Sequence, residues 1–385
     1  MRIGVGISTS GDGARCAADA CRRAGARLGG AGTVDLAIVF ASGAHLRDPE
    51  RVLEAVRAEL DPAALVGCGA GGVLGEEREV ESADAVAVWA ASLEGGAARP
   101  FHVSAGAEGE VSASDLPAPR DGSLVVVLAD PYSYPSDALL DELARAAPGV
   151  AVLGGLSSAR LPERGAVLFC GDEVHGEGAV GVVLDGVQAL PCVSQGAAPL
   201  GPEMTITAAE GNLIHELAGR PALAAIEHAI AQLPLSQRML VASGLLVGIV
   251  IDPARPEYER GDFLVRGVLG ADERTGAVAV GATVAPGQVV RLHARDAASA
   301  DEDLRSSLRL RLRALGSEPP AGALIFSCNG RGRAMFGVAD HDARVVGREL
   351  AGAPAAGFFA AGEIGPVGGR SFLHGFTATL AIFAR

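Results

Sequence analysis

The stretch Phe326-Ser327-Cys328-Asn329-Gly330-Arg331-Gly332-Arg333 gathers a thiol, a carboxamide and two guanidiniums around two glycines. It follows an apolar run that reads as a strand, so the group falls at a carboxyl end, where open α/β sheets hold their ligands. Gly330 and Gly332 let the backbone bend, which frees amide N–H groups beside a guanidinium to meet an anion. The same residues also fit a surface turn with solvated arginines and a small buried cysteine. Downstream, FFAAGEIGPVGG embeds Glu363, beside Gly362, in apolar sequence, where a carboxylate must be paired or functional. Arg331 is its candidate partner. Leu373-His374-Gly375 adds an imidazole. Two chemistries follow. In a binding site, Arg331 takes an anionic group and Glu363 a cationic one. In a catalytic site, Cys328 is the nucleophile, His374 the base and Glu363 the orienting group, which requires Cys328 and His374 within hydrogen-bond reach. A single Cys with a single His carries little weight alone, so no catalytic residue is assigned.

Other signatures are weaker or missing. Gly67-Cys68-Gly69-Ala70-Gly71-Gly72 fits GxGxxG after a strand, but a dinucleotide site needs a helix to open there. GEEREVESAD follows instead, without a helical apolar stripe, so close backbone packing explains the glycines better. Cys16 and Cys21 stand on a predicted helix and point about 140° apart, too far to clamp one metal. HExxH, CxxC, P-loop and GxSxG patterns are absent. No metal or cofactor is expected.

The elements that must position these residues repeat. A strand (DLAIVFAS), a helix over Asp48 to Leu60, a Gly-rich strand (ALVGCGAGG) and a returning strand (DAVAVWAASL) recur as LVVVLAD, Ser136 to Ala147, VAVLGGLSSA and GAVGVVLDG. They recur again as LIFSCNGRG, a helix near Ala343 to Leu350, PAAGFFAAGEIG and FTATLAIF. Separations of 31, 30 and 33 residues divide Leu36 from Gly67, Leu124 from Gly154 and Leu324 from Gly357. The pattern predicts an internally duplicated βαββ unit. RIGVGIST with a helix over Asp12 to Leu28, and VVRLHARD with a helix capped by Ser299 and Glu302, precede the first and third units. Between Val187 and Thr283 short alternating runs predict antiparallel hairpins, with one helix over Pro221 to Gln232. The fold class is therefore mixed α/β and α+β: two related domains with sheet cores flanked by helices, 1–217 and 218–385.

Composition sets the outer bounds. The 385 residues carry a net charge of −14, which argues against nucleic acid and anionic lipid as partners. The apolar run Met239 to Ile251 is shorter than the roughly 20 residues of a membrane span. The N-terminal residues have no apolar signal core, and the six cysteines show no framework spacing. Both point to a reducing cytoplasm.

These blocks, in order, resemble the FIST family (F-box and intracellular signal transduction proteins). ALVGCGAGGVLG and VLGGLSSA resemble glycine turns of the N-terminal FIST domain. EYERGDFLVRGVLGAD, GQVVRLHARD, FSCNGRG, GFFAAGEIGP and LHGFTATL resemble blocks of the C-terminal one. The resemblance implies a ligand-sensing module for amino acids or related small metabolites, with no catalytic residue to carry over. On that basis Cys328, Asn329, Gly330, Arg331, Gly362, Glu363, His374 and Cys68 are the ligand-binding candidates. Kinase, cyclase, chemoreceptor and F-box segments are absent, so either the output passes through a separate signalling protein or the chain simply binds its metabolite. A Cys328-dependent enzyme and an interaction adaptor are the rival readings.

Overall fold

The computed structural model describes residues 1–29, 33–242, 244–316 and 318–385. They divide into two compact units, one of residues 1–193, 304–373 and 378–385, the other of 194–303 and 374–377. The first repeat runs β1 (Arg2–Ser8), α1 (Gly13–Leu28), β2 (Leu36–Ser42), α2 (Pro49–Leu60), β3 (Ala64–Ala70), β4 (Gly72–Gly75), β5 (Arg78–Glu81) and β6 (Ala85–Ser92). The second runs β7 (Ala97–Val103), β8 (Leu124–Ala129), α3 (Ser136–Ala146), β9 (Ala151–Leu156), β10 (Leu168–Cys170), β11 (Glu173–His175) and β12 (Ala179–Asp185). After β13 (Ala189–Gln195) come β14 (Ala197–Glu210), β15 (Leu213–Leu217), β16 (Arg220–Pro221), α4 (Ala222–Gln232) and α5 (Leu235–Ala242). Then follow β17 (Leu245–Val250), β18 (Phe263–Asp272), β19 (Ala277–Val280), β20 (Val289–Arg295) and α6 (Ala297–Leu315). The third repeat is β21 (Gly322–Cys328), α7 (Arg333–Phe336), α8 (His341–Glu349), β22 (Ala355–Ala360), β23 (Glu363–Val367), β24 (Arg370–His374) and β25 (Thr377–Phe383).

Among the described residues, three six-stranded sheets share one order: β1-β6-β2-β3-β10-β11, β7-β12-β8-β9-β23-β24 and β13-β25-β21-β22-β4-β5. In each, the two strands joined by a helix are parallel: β2 with β3, β8 with β9, β21 with β22. The duplication read from sequence is therefore real. What the sequence did not reveal is an exchange. Each repeat gives its hairpin to another repeat's sheet: β4–β5 joins the third, β10–β11 the first and β23–β24 the second. GEEREVESAD is one of these hairpins, so no helix opens after the GxGxxG glycines.

The repeated glycines have a common cause. Gly67, Gly154 and Gly357 sit opposite Val39, Val127 and Ile325 on the parallel neighbour. A Cβ at these glycines would lie 2.1, 1.8 and 1.6 Å from the facing carbonyl oxygen. Only glycine permits that approach.

Strands buried on both faces read as continuous apolar runs. Leu36, Ile38 and Phe40 of β2 join Val126, Leu128, Leu324, Phe326 and Phe358 in a cluster drawn from all three sheets. Alternate residues face outward to helices: Ala37 and Val39 toward α1 and α2, Val125 and Val127 toward α3, Ala323 and Ile325 toward α6 and α8.

Two expectations are corrected. VVRLHARD is the strand that precedes the third unit, but as β20 it joins another sheet and is no counterpart of RIGVGIST; β13 fills the place that β1 holds in the first repeat. Ser299 does not cap α6, which starts at Ala297. Asp296, an equally good capping residue one turn earlier, accepts from the Ser299 N–H at 3.3 Å and from its hydroxyl. In the second unit, β14-β20-β17-β18-β19-β15-β16 form one antiparallel sheet, and β14 also pairs with β15, so the strands close on themselves. Its core takes Ala222, Ile226 and Ala229 from α4.

Candidate functional site

β21 ends at Cys328, whose side chain shares the inward face with Leu324 and Phe326. The chain then turns through Asn329, which is exposed, and Gly330. The Asn329 N–H donates to Ala360 O at 2.8 Å, and the Gly330 N–H lies 3.4 Å from Cys328 Sγ. Gly332, at φ 75°, completes the bend that turns Arg331 back into the protein. Arg331 is 1% exposed, so it is no solvated surface residue.

The carboxylate that grips it is Asp342, which the sequence did not single out. Arg331 Nε donates to Asp342 Oδ2 at 2.7 Å and Nη2 to Oδ1 at 2.9 Å, a bidentate pair with both groups buried. The Ser327 hydroxyl donates to Oδ2 at 2.8 Å, and His341 Nδ1 lies 2.9 Å from Oδ1. Burial alone would push the Asp342 carboxyl up, but the Arg331 charge and these hydrogen bonds hold it well below the usual range. Phe336 stacks on His341 with ring centroids 3.5 Å apart, and the Arg331 guanidinium lies 5.1 Å from the same ring.

Arg331 has more to give. Its Nη1 has no hydrogen-bond partner among the described residues, a costly state for a buried donor. Burial opposes its charge; Asp342, and then Cys328 and Glu363, outweigh that and raise its pKa. Cys328, Arg331 and Glu363 are thus electrostatic neighbours. Thr379 Oγ1, on β25, is buried without a hydrogen-bond partner among the described residues. Thr379 also abuts Gly365, two residues along from Glu363.

Glu363 stands out against the repeats. It opens β23, opposite Gly155. The corresponding hairpin positions, next to the residue that faces the repeat glycine, are Val73 and Leu168. Both of those belong to the central apolar cluster. A carboxylate with 0% exposure therefore occupies a place where the other repeats put a hydrocarbon.

The acids of β5 border the site. Glu81 Oε1 accepts from the Arg333 N–H at 3.0 Å, Glu79 Oε1 from the Ala343 N–H at 2.9 Å, and Asp340 Oδ1 from the Glu79 N–H at 2.9 Å. Burial and then the charge of Asp342 push Glu79 up to about 7.

The remaining candidates sit differently. The Gly362 carbonyl accepts from the Leu156 N–H at 2.8 Å, a backbone role. Cys68 lies in the central apolar cluster, register-paired with Leu168, and burial raises its thiol pKa. His374, at the end of β24, is buried and falls in the second unit. Asp342 had one sequence signal, the acidic pair Asp340-His341-Asp342 at the start of a predicted helix. Among the described residues no group of His, Cys, Asp and Glu is arranged to hold a metal.

Comparison with known proteins finds two family domains, whose boundary falls inside the second unit. The FIST N domain matches residues 35–220 and the FIST C domain residues 222–366. An uncharacterized protein of Mycobacterium tuberculosis strain H37Rv is 44% identical over 386 residues, 100% of each chain. Another, of Mycobacterium bovis, is 43% identical over 389 residues, covering 100% of this chain and 99% of its own.

Proposed function

Because the chain belongs to the FIST family, whose domains are signal-transduction sensory domains, we propose that it senses a small zwitterionic metabolite of the amino-acid class. The ligand carboxylate meets Arg331 Nη1 and its ammonium meets Glu363. The observation that carries this reading is Glu363, a buried carboxylate where the sister repeats hold Val73 and Leu168, beside a guanidinium with an unmatched N–H edge. The Glu363 charge favours the buried Arg331 guanidinium, but a buried carboxylate costs more than the valine or leucine of the sister repeats. Binding needs no bond-making, so Cys328 serves as a wall of the site and no reaction is assigned to it. The signal then passes to a separate protein. No helix among the described residues is long and apolar enough to cross a membrane, and none of the six cysteines forms a disulfide among the described residues. Both are in keeping with a cytoplasmic sensor.

The test is a thermal-shift panel of amino acids alongside their N-acetyl and decarboxylated derivatives. A ligand at 100 times its Kd adds about 2.7 kcal/mol. An amino acid that shifts the melting point, with both derivatives inactive, is the expected result. A derivative that works as well as its parent contradicts the two-charge reading.

A further inference from the structure

At the amino ends of β21 and β22, away from Arg331, the first unit carries a cleft of about 580 Å³, a size typical of small-molecule sites. Its lining is apolar at Ile3, Leu74, Ile325 and Val346. Charged groups from Arg2, Arg27, Glu76, Glu77 and Arg385 also border it. Most of those charges are already committed. Arg27 pairs with Glu76 at 3.0 Å, and Arg2 is held by Glu94 at 3.2 Å and by the Leu28 carbonyl at 2.8 Å. Arg385 is exposed.

Glu77 is different. It makes no hydrogen bond or ion pair among the described residues. Its side chain lies along Gly347 of α8, where an added Cβ would come within 2.5 Å of Glu77 Cγ. The hairpin tip that presents it has φ of 52° at Glu76 and 59° at Glu77. Two-residue turns of that kind favour Asn and Gly, so the glutamates are not there for the turn. Val346 and Gly347, in the last turns of α8, line the same cleft, their carbonyls accepting from the Leu350 and Gly352 N–H groups.

We propose that this cleft binds an organic amine with an apolar body, its ammonium on Glu77 and its body against Leu74, Ile325 and Val346. The occupant would sit on the hairpin whose Glu79 and Glu81 hold Ala343 and Arg333 beside Arg331. A second ligand therefore has a direct mechanical route to the first site.

The probes are hexylamine and its anionic counterpart hexanoate, each titrated to 10 mM and followed by saturation-transfer NMR and calorimetry. Hexylamine should bind the wild type, bind Glu77→Gln at least tenfold more weakly, and bind Glu363→Gln unchanged. Ala353→Trp, which fills the cleft from a half-buried position, should abolish binding. Preferential binding of hexanoate, equal binding of hexylamine to wild type and Glu77→Gln, or no binding of hexylamine at 10 mM would each overturn the assignment. Because Glu363→Gln disables only the Arg331 site, failure here is distinguishable from failure of the metabolite reading.

Discussion

Arg331 and Asp342 lock together through two parallel hydrogen bonds of 2.7 and 2.9 Å, both side chains out of solvent, and Arg331 Nη1 still has no hydrogen-bond partner among the described residues. That pair sets what substitutions at the site report. Arg331→Ala strands a buried carboxylate, and Asp342→Ala strands a buried guanidinium. Either should cost about 3–5 kcal/mol in chemical denaturation. Replacing both, as Arg331→Met with Asp342→Leu, should cost well under the sum of the single changes. Additive losses would mean that the two residues do not act as a pair.

A pH dependence follows from Glu79. Its folded pKa is raised, by burial and then by Asp342, from 4.5 to about 7. The folded protein therefore binds this proton more tightly than the unfolded chain does. The resulting stability is fully present below the unfolded value and is lost as pH rises through about 7. At about 1.4 kcal/mol per pKa unit, the full loss comes to about 3 kcal/mol, most of it between pH 5 and pH 8. Urea denaturation at pH 5 and pH 8 should show this fall in the wild type and a flatter profile in Glu79→Gln. Parallel profiles would remove Glu79 as the titrating group.

The repeat glycines give a packing prediction. Gly357→Ala puts a methyl 1.6 Å from the Ile325 oxygen and must force β21 and β22 apart. A loss of about 3 kcal/mol or more is expected, as for other severe core overpacking. Gly211→Ala is the control: nothing lies within 4 Å of its added Cβ, and its φ of 58° is the only strain. That change should cost about 1–2 kcal/mol. Equal losses at the two positions would argue against the close strand approach.

These predictions rest on features that differ in how far they can be read from residues alone. The βαββ repeats were legible because β2, β8 and β21 are continuous apolar runs and because Gly67, Gly154 and Gly357 recur at a near-constant spacing. Hairpin exchange was not: β4–β5 carries the same alternation whether it pairs with β3 or with β22. The apolar run from Met239 to Ile251 is divided between the end of α5 and β17, since α5 buries none of its residues and so leaves no stripe; Ser243 falls outside the described residues. In the candidate site, Arg331 and Glu363 were visible as charges in apolar or glycine-rich sequence. Asp342 was hidden because an acidic residue in a first helical turn is ordinary, and only its burial marks it out.

The central claim is that Glu363 is kept for a ligand and not for the fold, and the replacement to test is the residue that the first repeat uses at that place. Glu363→Val should be as stable as the wild type or more stable by about 1–3 kcal/mol without ligand, since it puts at this place the kind of hydrocarbon the sister repeats use there. The same variant should lose the melting shift that an amino acid gives the wild type. A variant that is several kcal/mol less stable without ligand, or one that retains the full shift, would contradict the account.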